Sequence, residues 1–381
     1  MMRAGRTYLD HNASSPLRPE ARAAMLSALE RPGNASSVHA EGRAARALVE
    51  AARGHVAALV GALPSEVCFT SGGTEASNWA LSGDWSHMLL ASGIEHDAVV
   101  APARASGAQL IEAPVSADGR VTAAALEEAI SRCGTGHRGL VSLQFANNET
   151  GVLQPLAELA AIARARGLMV HTDAVQAAGR VRLDFAALDV DLLSVSAHKL
   201  GGPKGIGALI IRDGIQLPAL IHGGGQEMRR RAGTENVAAI AGFGAAAEAA
   251  RQELPRMAAI GALRDRLERE ALAITPSAVV IGSQTERLAN TTCLALPGAH
   301  AETLVIALDL AGTAVSAGAA CSSGKVSQSR VLTAMGVADE LARAAIRISL
   351  GWNTVAADVD AFLAAWAKLS AAAIGRRRNA A

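Results

Sequence analysis

Lysine is scarce in this chain: Lys199, Lys204, Lys325 and Lys368 are the only four among 36 lysines and arginines. Lys199 follows the apolar run Asp191-Leu-Leu-Ser-Val-Ser-Ala-His198 and precedes Leu200-Gly-Gly-Pro-Lys-Gly-Ile-Gly207. Arginine would serve there for solvation alone. A lysine points to amine chemistry, because an ammonium can lose its proton and condense with an aldehyde, whereas a guanidinium cannot. The ordinary alternative is a surface lysine beside a glycine turn, since lysine is rarely buried. The rest of the sequence has to decide between them.

Three other clusters carry polar groups directly after apolar, strand-like runs. Phe69-Thr-Ser-Gly-Gly-Thr-Glu-Ala-Ser77 opens a helical run with two glycines and a threonine. Free backbone N–H groups, a hydroxyl and a positive helix end suit a phosphate, although many helix caps look the same. The spacing is not that of dinucleotide or nucleotide loops. His171-Thr-Asp-Ala-Val-Gln176 places Asp173 at a strand end, either to cap a turn or to face a cation such as a protonated pyridine nitrogen. Phe145-Ala-Asn-Asn-Glu-Thr-Gly151 adds amides after another apolar run. Phosphate cradle, polar amides, aspartate and lysine, along one α/β stretch, are the parts needed to hold pyridoxal 5'-phosphate (PLP).

These clusters need a frame. Strand-like segments at Val67–Thr70, 89–92, 140–145, Met169–Asp173, Leu192–Ser196 and Gly207–Ile211 alternate with helical patterns. That alternation predicts an α/β fold with a mostly parallel sheet, whose strand ends are the usual place for ligands. Residues 237–273 form a long alanine-rich helical stretch, and the remainder predicts a smaller α+β domain with strands at Val279–Ile281, 292–296, 313–316 and 345–350. A final helix from about residue 354 lines up Val355, Val359, Phe362, Leu363, Trp366 and Leu369.

With 381 residues, 50% of them hydrophobic, and a net charge of +1, the chain reads as a folded globular protein with no electrostatic signature for nucleic acid or a membrane surface. No apolar run has bilayer or signal-peptide length, so a cytoplasmic enzyme is expected. Cys68, Cys133, Cys293 and Cys321 form no metal-ligand spacing, and no metal is expected. Cys68 and Cys293 sit in apolar runs. Cys321 sits in the small-residue stretch Val315-Ser-Ala-Gly-Ala-Ala-Cys-Ser-Ser-Gly324, a setting in which a thiolate can act as a nucleophile.

The motifs extend nearly end to end. Tyr8-Leu-Asp-His-Asn-Ala-Ser-Ser-Pro16, Gly33-Asn-Ala-Ser-Ser37, Thr70-Ser-Gly-Gly-Thr-Glu75, Glu95-His96 and Ala146-Asn-Asn-Glu149 lie in the first half. His171-Thr-Asp-Ala-Val-Gln176, Ser196-Ala-His-Lys199, Gly223-Gly-Gly-Gln-Glu227, Arg231-Ala-Gly-Thr-Glu-Asn236, Cys321-Ser-Ser-Gly324 and Arg347-Ile-Ser-Leu-Gly351 follow. On these the chain resembles the cysteine desulfurases, within the class V aminotransferase group of fold-type I PLP-dependent transferases. The resemblance implies a large PLP-binding domain over residues 14–250 and a small domain, 1–13 with 251–381, carrying the cysteine loop.

By that resemblance Lys199 would form the Schiff base with the cofactor and Asp173 would pair with the ring nitrogen. Gln176 and Asn148 would reach the ring hydroxyl side. Gly73, Thr74, Ser196 and His198 would bind phosphate, and Thr234 would reach the phosphate of a neighbouring subunit in a homodimer. His96 would stack on the ring and move protons. Arg347, assisted by Asn12, would grip the substrate carboxylate.

PLP alone fits transamination, decarboxylation or β-elimination equally. Within the resemblance Cys321 selects the reaction: L-cysteine becomes L-alanine and the sulfur passes to Cys321 as a persulfide. It would then go to an iron–sulfur scaffold or another sulfur acceptor. The run from Cys321 to Gly336 resembles the long-loop group that builds iron–sulfur clusters or thiolates tRNA. Ser14-Ser15 departs mildly from the usual threonine pair, as does His11. Family members often extend further beyond the last helix to dock the scaffold, which leaves that partner open.

Overall fold

The computed structural model describes residues 5–91, 93–133, 138–318 and 328–380. Its strands in chain order begin with β1 (Thr7–Tyr8), β2 (Val67–Thr70), β3 (His87–Ala91), β4 (Gln109–Ala113), β5 (Gly139–Ser142), β6 (Met169–Asp173), β7 (Leu192–Ser196) and β8 (Gly207–Ile211). They continue with β9 (Val279–Ile281), β10 (Thr291–Ala295), β11 (Thr313–Ala314), β12 (Ser316–Ala317) and β13 (Ala345–Ser349). The main sheet has seven strands in the order β2-β8-β7-β6-β5-β3-β4. All its pairings are parallel except the two made by β8, so β8 alone runs against the rest.

The mainly parallel sheet follows from strands that are apolar on both faces. Every residue of β5, β7 and β8 is buried, and such strands need not alternate polar with apolar. Successive side chains still go to opposite sides. Leu193, Val195 and Ile210 join a core with the alanine-rich helices Ala40–Val60 and Val237–Gln252. Leu192, Leu209 and Ile211 join another with Trp79 and Val99, from the helices Gly73–Ala80 and Asp97–Ala105.

A second, antiparallel sheet has the order β12-β13-β10-β9. Leu294, Ile346 and Ile348 pack with Leu267, Phe362 and Trp366 of the helices Met257–Ile274 and Ala356–Ala380. Cys293, Ala295 and Ala345 on its other face join the main core. The single strand expected over 313–316 breaks at Val315: β11 pairs in parallel with β1, whereas β12 joins the antiparallel sheet. The expected strand 140–145 ends at Ser142. Strand β4 and the helix Ala123–Ser131 were not anticipated. Gln109 and Glu112 of β4 face solvent at the sheet edge and dilute its apolar signal.

The loop after β8 holds Glu227, Met228 and Arg229 at φ of 45°, 56° and 63°. Left-handed backbone costs roughly 1–3 kcal/mol per non-glycine residue unless its surroundings enforce it. Here Arg53 donates to both Glu227 carboxylate oxygens at 2.8 and 2.9 Å, and Phe69 N–H donates to one of them at 2.9 Å. A buried ion pair thus holds the loop that presents Thr234, which is exposed.

Candidate active site

The carboxyl ends of the parallel strands share one edge of the main sheet, and a cavity of roughly 250 Å³ opens there. Each polar cluster expected from the sequence arrives at its wall from a different strand. Gly73 and Thr74 follow β2, His96 follows β3, Asn148 follows β5, Asp173 and Gln176 come from β6, and Ser196, His198 and Lys199 from β7.

The phosphate side is built by close approach. A Cβ on Gly73 would lie 2.8 Å from Val175 Cγ2 and 3.4 Å from Ser196 Cβ, so only glycine lets the start of the helix Gly73–Ala80 sit against the ends of β6 and β7. The positive end of that helix, with Thr74, Ser196 and His198, then lines the cavity. Burial and the nearby Lys199, Lys204 and Arg180 push the His198 pKa down to about 4, leaving a neutral ring near pH 7. Its Nδ1 lies 3.3 Å from Ser14 Oγ.

Lys199 ends the short turn of 3-10 helix Ala197–Lys199 that directly follows β7. Its Nζ donates to the carbonyls of Asn12 at 2.6 Å and Ala13 at 2.9 Å. Its own carbonyl accepts from Ser15 Oγ at 3.0 Å and from Arg180 Nη2 at 3.2 Å. Gln176 Nε2 also donates to the Asn12 carbonyl, at 3.0 Å, while its amide oxygen accepts from Arg180. Arg180 is buried among carbonyl and amide oxygens, and burial lowers its pKa to about 9. The N-terminal segment, far away in the sequence, therefore accepts both of these bonds from the lysine amine.

Asp173 faces the cavity as a half-buried carboxyl. Burial raises its pKa, against the opposing pull of His96, the Val175 N–H and Lys199. Val175 N–H donates to its Oδ1 at 2.9 Å. A cation placed in the cavity would relieve this desolvation. His96 caps the helix Asp97–Ala105, with Nδ1 accepting from Ala98 N–H at 3.0 Å. The neutral ring therefore carries its proton on Nε2. Next to it, the buried Glu95 is held well above the usual carboxylate range by desolvation.

Arg347 and Asn12 stand one row behind the wall. Arg347 Nη2 donates to Asp10 Oδ1 at 2.8 Å, and its Nη1 donates to the Asn148 carbonyl at 3.2 Å. Asn12 Nδ2 donates to the same Asn148 carbonyl at 3.1 Å and to Thr291 Oγ1 at 2.9 Å, and its Oδ1 accepts from Asn290 at 3.1 Å. Neither side chain borders the cavity; both fix Asn148, which does. Thr234 lies away from it on the exposed loop, and Cys321 lies outside the described residues.

The donor set, the glycine cradle and the desolvated carboxyl all fit PLP, with its phosphate, cationic ring nitrogen and aldehyde. The class-V aminotransferase family model matches residues 7–362. A cysteine desulfurase of Cereibacter sphaeroides is 46% identical over 369 residues, 94% of each chain. The chain belongs to this family, among its cysteine desulfurases. The structure of a NifS-like protein from Rickettsia africae superposes with a TM-score of 0.88 at 34% identity, covering 96% of this chain and 99% of that one. A structure of SspA in complex with cysteine matches with a TM-score of 0.78 at 29% identity, covering 92% and 100%.

Three residues of this desulfurase-family site escaped the sequence reading. Arg180 had no motif signal beyond following Gln176 by one helical turn. Asp10 and Glu149 lay inside motifs quoted for their neighbours, but their partners are far away in the chain: Arg347 for Asp10, and Ser329 for Glu149. Among the described residues no helix is long and apolar enough to cross a membrane.

Proposed function

We propose that this chain uses PLP to convert L-cysteine to L-alanine and passes the sulfur to Cys321. The observation that carries this reading is the convergence of Lys199, Asp173 and the Gly73 cradle on one cavity in a cysteine desulfurase family member. Gly73, Thr74, Ser196 and His198 would hold the phosphate, Asp173 the ring nitrogen, and Asn148 and Gln176 the ring hydroxyl side. When bound, PLP supplies an electron sink that allows the Cα–H bond of an amino acid to break.

The chain's own groups do the rest. Lys199 Nζ takes the substrate α-proton and returns a proton later. His96 Nε2–H faces the same space and can donate to a leaving or developing anion. Arg347, with Asn12 beside it, orients the substrate carboxylate once its fork turns from Asp10. The Cys321 thiolate attacks the substrate sulfur: the new S–S bond forms, the Cβ–S bond breaks, and Cβ gains a proton. Enzyme thiol and L-cysteine thus give enzyme persulfide and L-alanine, with no external oxidant.

An iron–sulfur scaffold or another acceptor then takes the sulfur. A cytoplasmic setting suits this cycle, because a reducing compartment keeps thiols free of disulfides. We read residues 14–250 as the cofactor unit and 1–13 with 251–381 as the unit that presents the thiol. The exposed Thr234 on its strained loop supports a homodimer in which each chain completes the other's phosphate site.

The test is to supply L-cysteine and a reductant and quantify alanine for the wild type and for Cys321→Ala. The variant should lose alanine production while keeping the visible absorbance of the bound cofactor. Full turnover in the variant would sink the persulfide step.

A further inference from the structure

Glu149 is a buried carboxyl that the reaction above does not use. It sits in the turn after β5, whose shape is fixed by Asn147: Asn147 Oδ1 accepts from the N–H groups of Glu149 and Thr150, each at 2.9 Å. Asn148, in the same turn, borders the cavity. The Glu149 side chain reaches described residues on both sides of the Cys321 segment, Ser329 and Gly318. Ser329 Oγ donates to its Oε2 at 2.6 Å, and a Cβ on Gly318 would lie 2.8 Å from that same oxygen. The Ser329 hydroxyl also caps the helix Arg330–Ala334, accepting from Leu332 N–H at 3.0 Å.

The next residue ties the same stem to the loop that carries His96. Arg330 pairs with Asp97 at 2.8 Å and donates to the Glu95 carbonyl at 3.2 Å. One carboxyl oxygen therefore accepts from Ser329 on one side of the segment that bears the thiol and lies close against Gly318, where a side chain would collide with it, on the other. Burial pushes the Glu149 pKa up to about 7, against the pull of Ser329, Arg347, Arg330 and His96. Cys293 of β10 feels its charge as well.

We propose that Glu149 is a positioning residue for sulfur transfer, registering both stems of the Cys321 segment to the turn that carries Asn148. The proposal rests on Cys321 as the sulfur acceptor. A glutamine should serve nearly as well, because its amide oxygen can accept from Ser329, whereas an alanine cannot.

The test compares wild-type holoenzyme with Glu149→Ala, Glu149→Gln and Ser329→Ala. Readouts are alanine formation, the cysteine concentration that half-saturates the cofactor's spectral change, and the alkylation rate of Cys321 followed by peptide mass. For Glu149→Ala, kcat should fall by about 100-fold, the scale of a misplaced reacting group, with half-saturation within about threefold and an altered alkylation rate. Glu149→Gln should recover most of kcat.

An undiminished kcat in Glu149→Ala, or Glu149→Gln as impaired as Glu149→Ala, would overturn the proposal. If Glu149→Ala does not fold, Ser329→Ala decides: a lower kcat at unchanged half-saturation supports the proposal, and an unchanged kcat overturns it. A wild type that makes no alanine would overturn the reaction reading and this inference together. A working wild type beside an undiminished Glu149→Ala overturns the inference alone.

Discussion

The cofactor wall of the cavity and the row behind it are built by different physics. On the wall, Gly73, Thr74, Ser196 and Asp173 are placed by strand ends and by one helix start, so short stretches of chain fix them. Behind it, Arg347 with Asp10 and Glu149 with Ser329 are charged or polar groups paired across the fold. The wall is set by backbone geometry. The second row depends on two carboxyls, Glu149 buried and Asp10 half-buried, keeping partners that arrive from the antiparallel sheet and its neighbouring helix. Substitutions on the wall should therefore cost chemistry, and substitutions behind it should cost alignment and stability.

The largest effect separates the two most sharply. Lys199→Ala removes the amine but none of the cradle, so alanine formation should fall by roughly 10³-fold or more, the scale expected of a lost proton-transfer group. Cofactor should still be retained on dialysis, now without a covalent link. Loss of cofactor comparable to the loss of turnover would mean that the lysine builds the wall as well as acting from it, and the contrast would weaken.

The same division explains what the sequence made legible. Gly73-Thr74, Asp173 and Ser196-Ala-His-Lys199 each combine an apolar strand with a turn a few residues long, a local signal that survives without knowledge of the fold. What holds Lys199 is not local: its Nζ donates to Asn12 and Ala13, 187 and 186 positions away. Periodicity carries no information about such pairings. The expected strand over 313–316 failed for a related reason. Its two halves read as one run but are claimed by different partners, β1 and β13. The Asn12 motif was recognisable, yet its amide supports Asn148 and the Thr291 region rather than bordering the cavity.

A change of intermediate size tests the second row directly. Arg347 is 2% exposed, and Asp10 is its acidic partner. Asp10→Asn would leave the guanidinium buried without a charge partner, and stability in urea should fall by about 3–5 kcal/mol. Half-saturation by cysteine should rise while cofactor uptake holds, because Arg347 also fixes the Asn148 carbonyl. A variant as stable as the wild type would show that Asp10 is dispensable and that Arg347 needs only the carbonyl.

The smallest expected effect is the most specific to Glu149. Its folded pKa is about 7 against an ordinary value of 4.5. Between those values the folded protein keeps a proton that the unfolded chain has released, so the unfolded state binds fewer protons and stability falls as pH rises through this window. Above about pH 7 both states are ionised and the contribution levels off. Glu149→Gln has no such proton, so its stability relative to the wild type should increase from pH 4.5 to 7, by at most about 3 kcal/mol for this shift. Urea melts of both proteins at several pH values measure this difference. Parallel curves would place the Glu149 charge in water rather than in the second row, and the carboxyl could no longer be what distinguishes the two sides of the cavity.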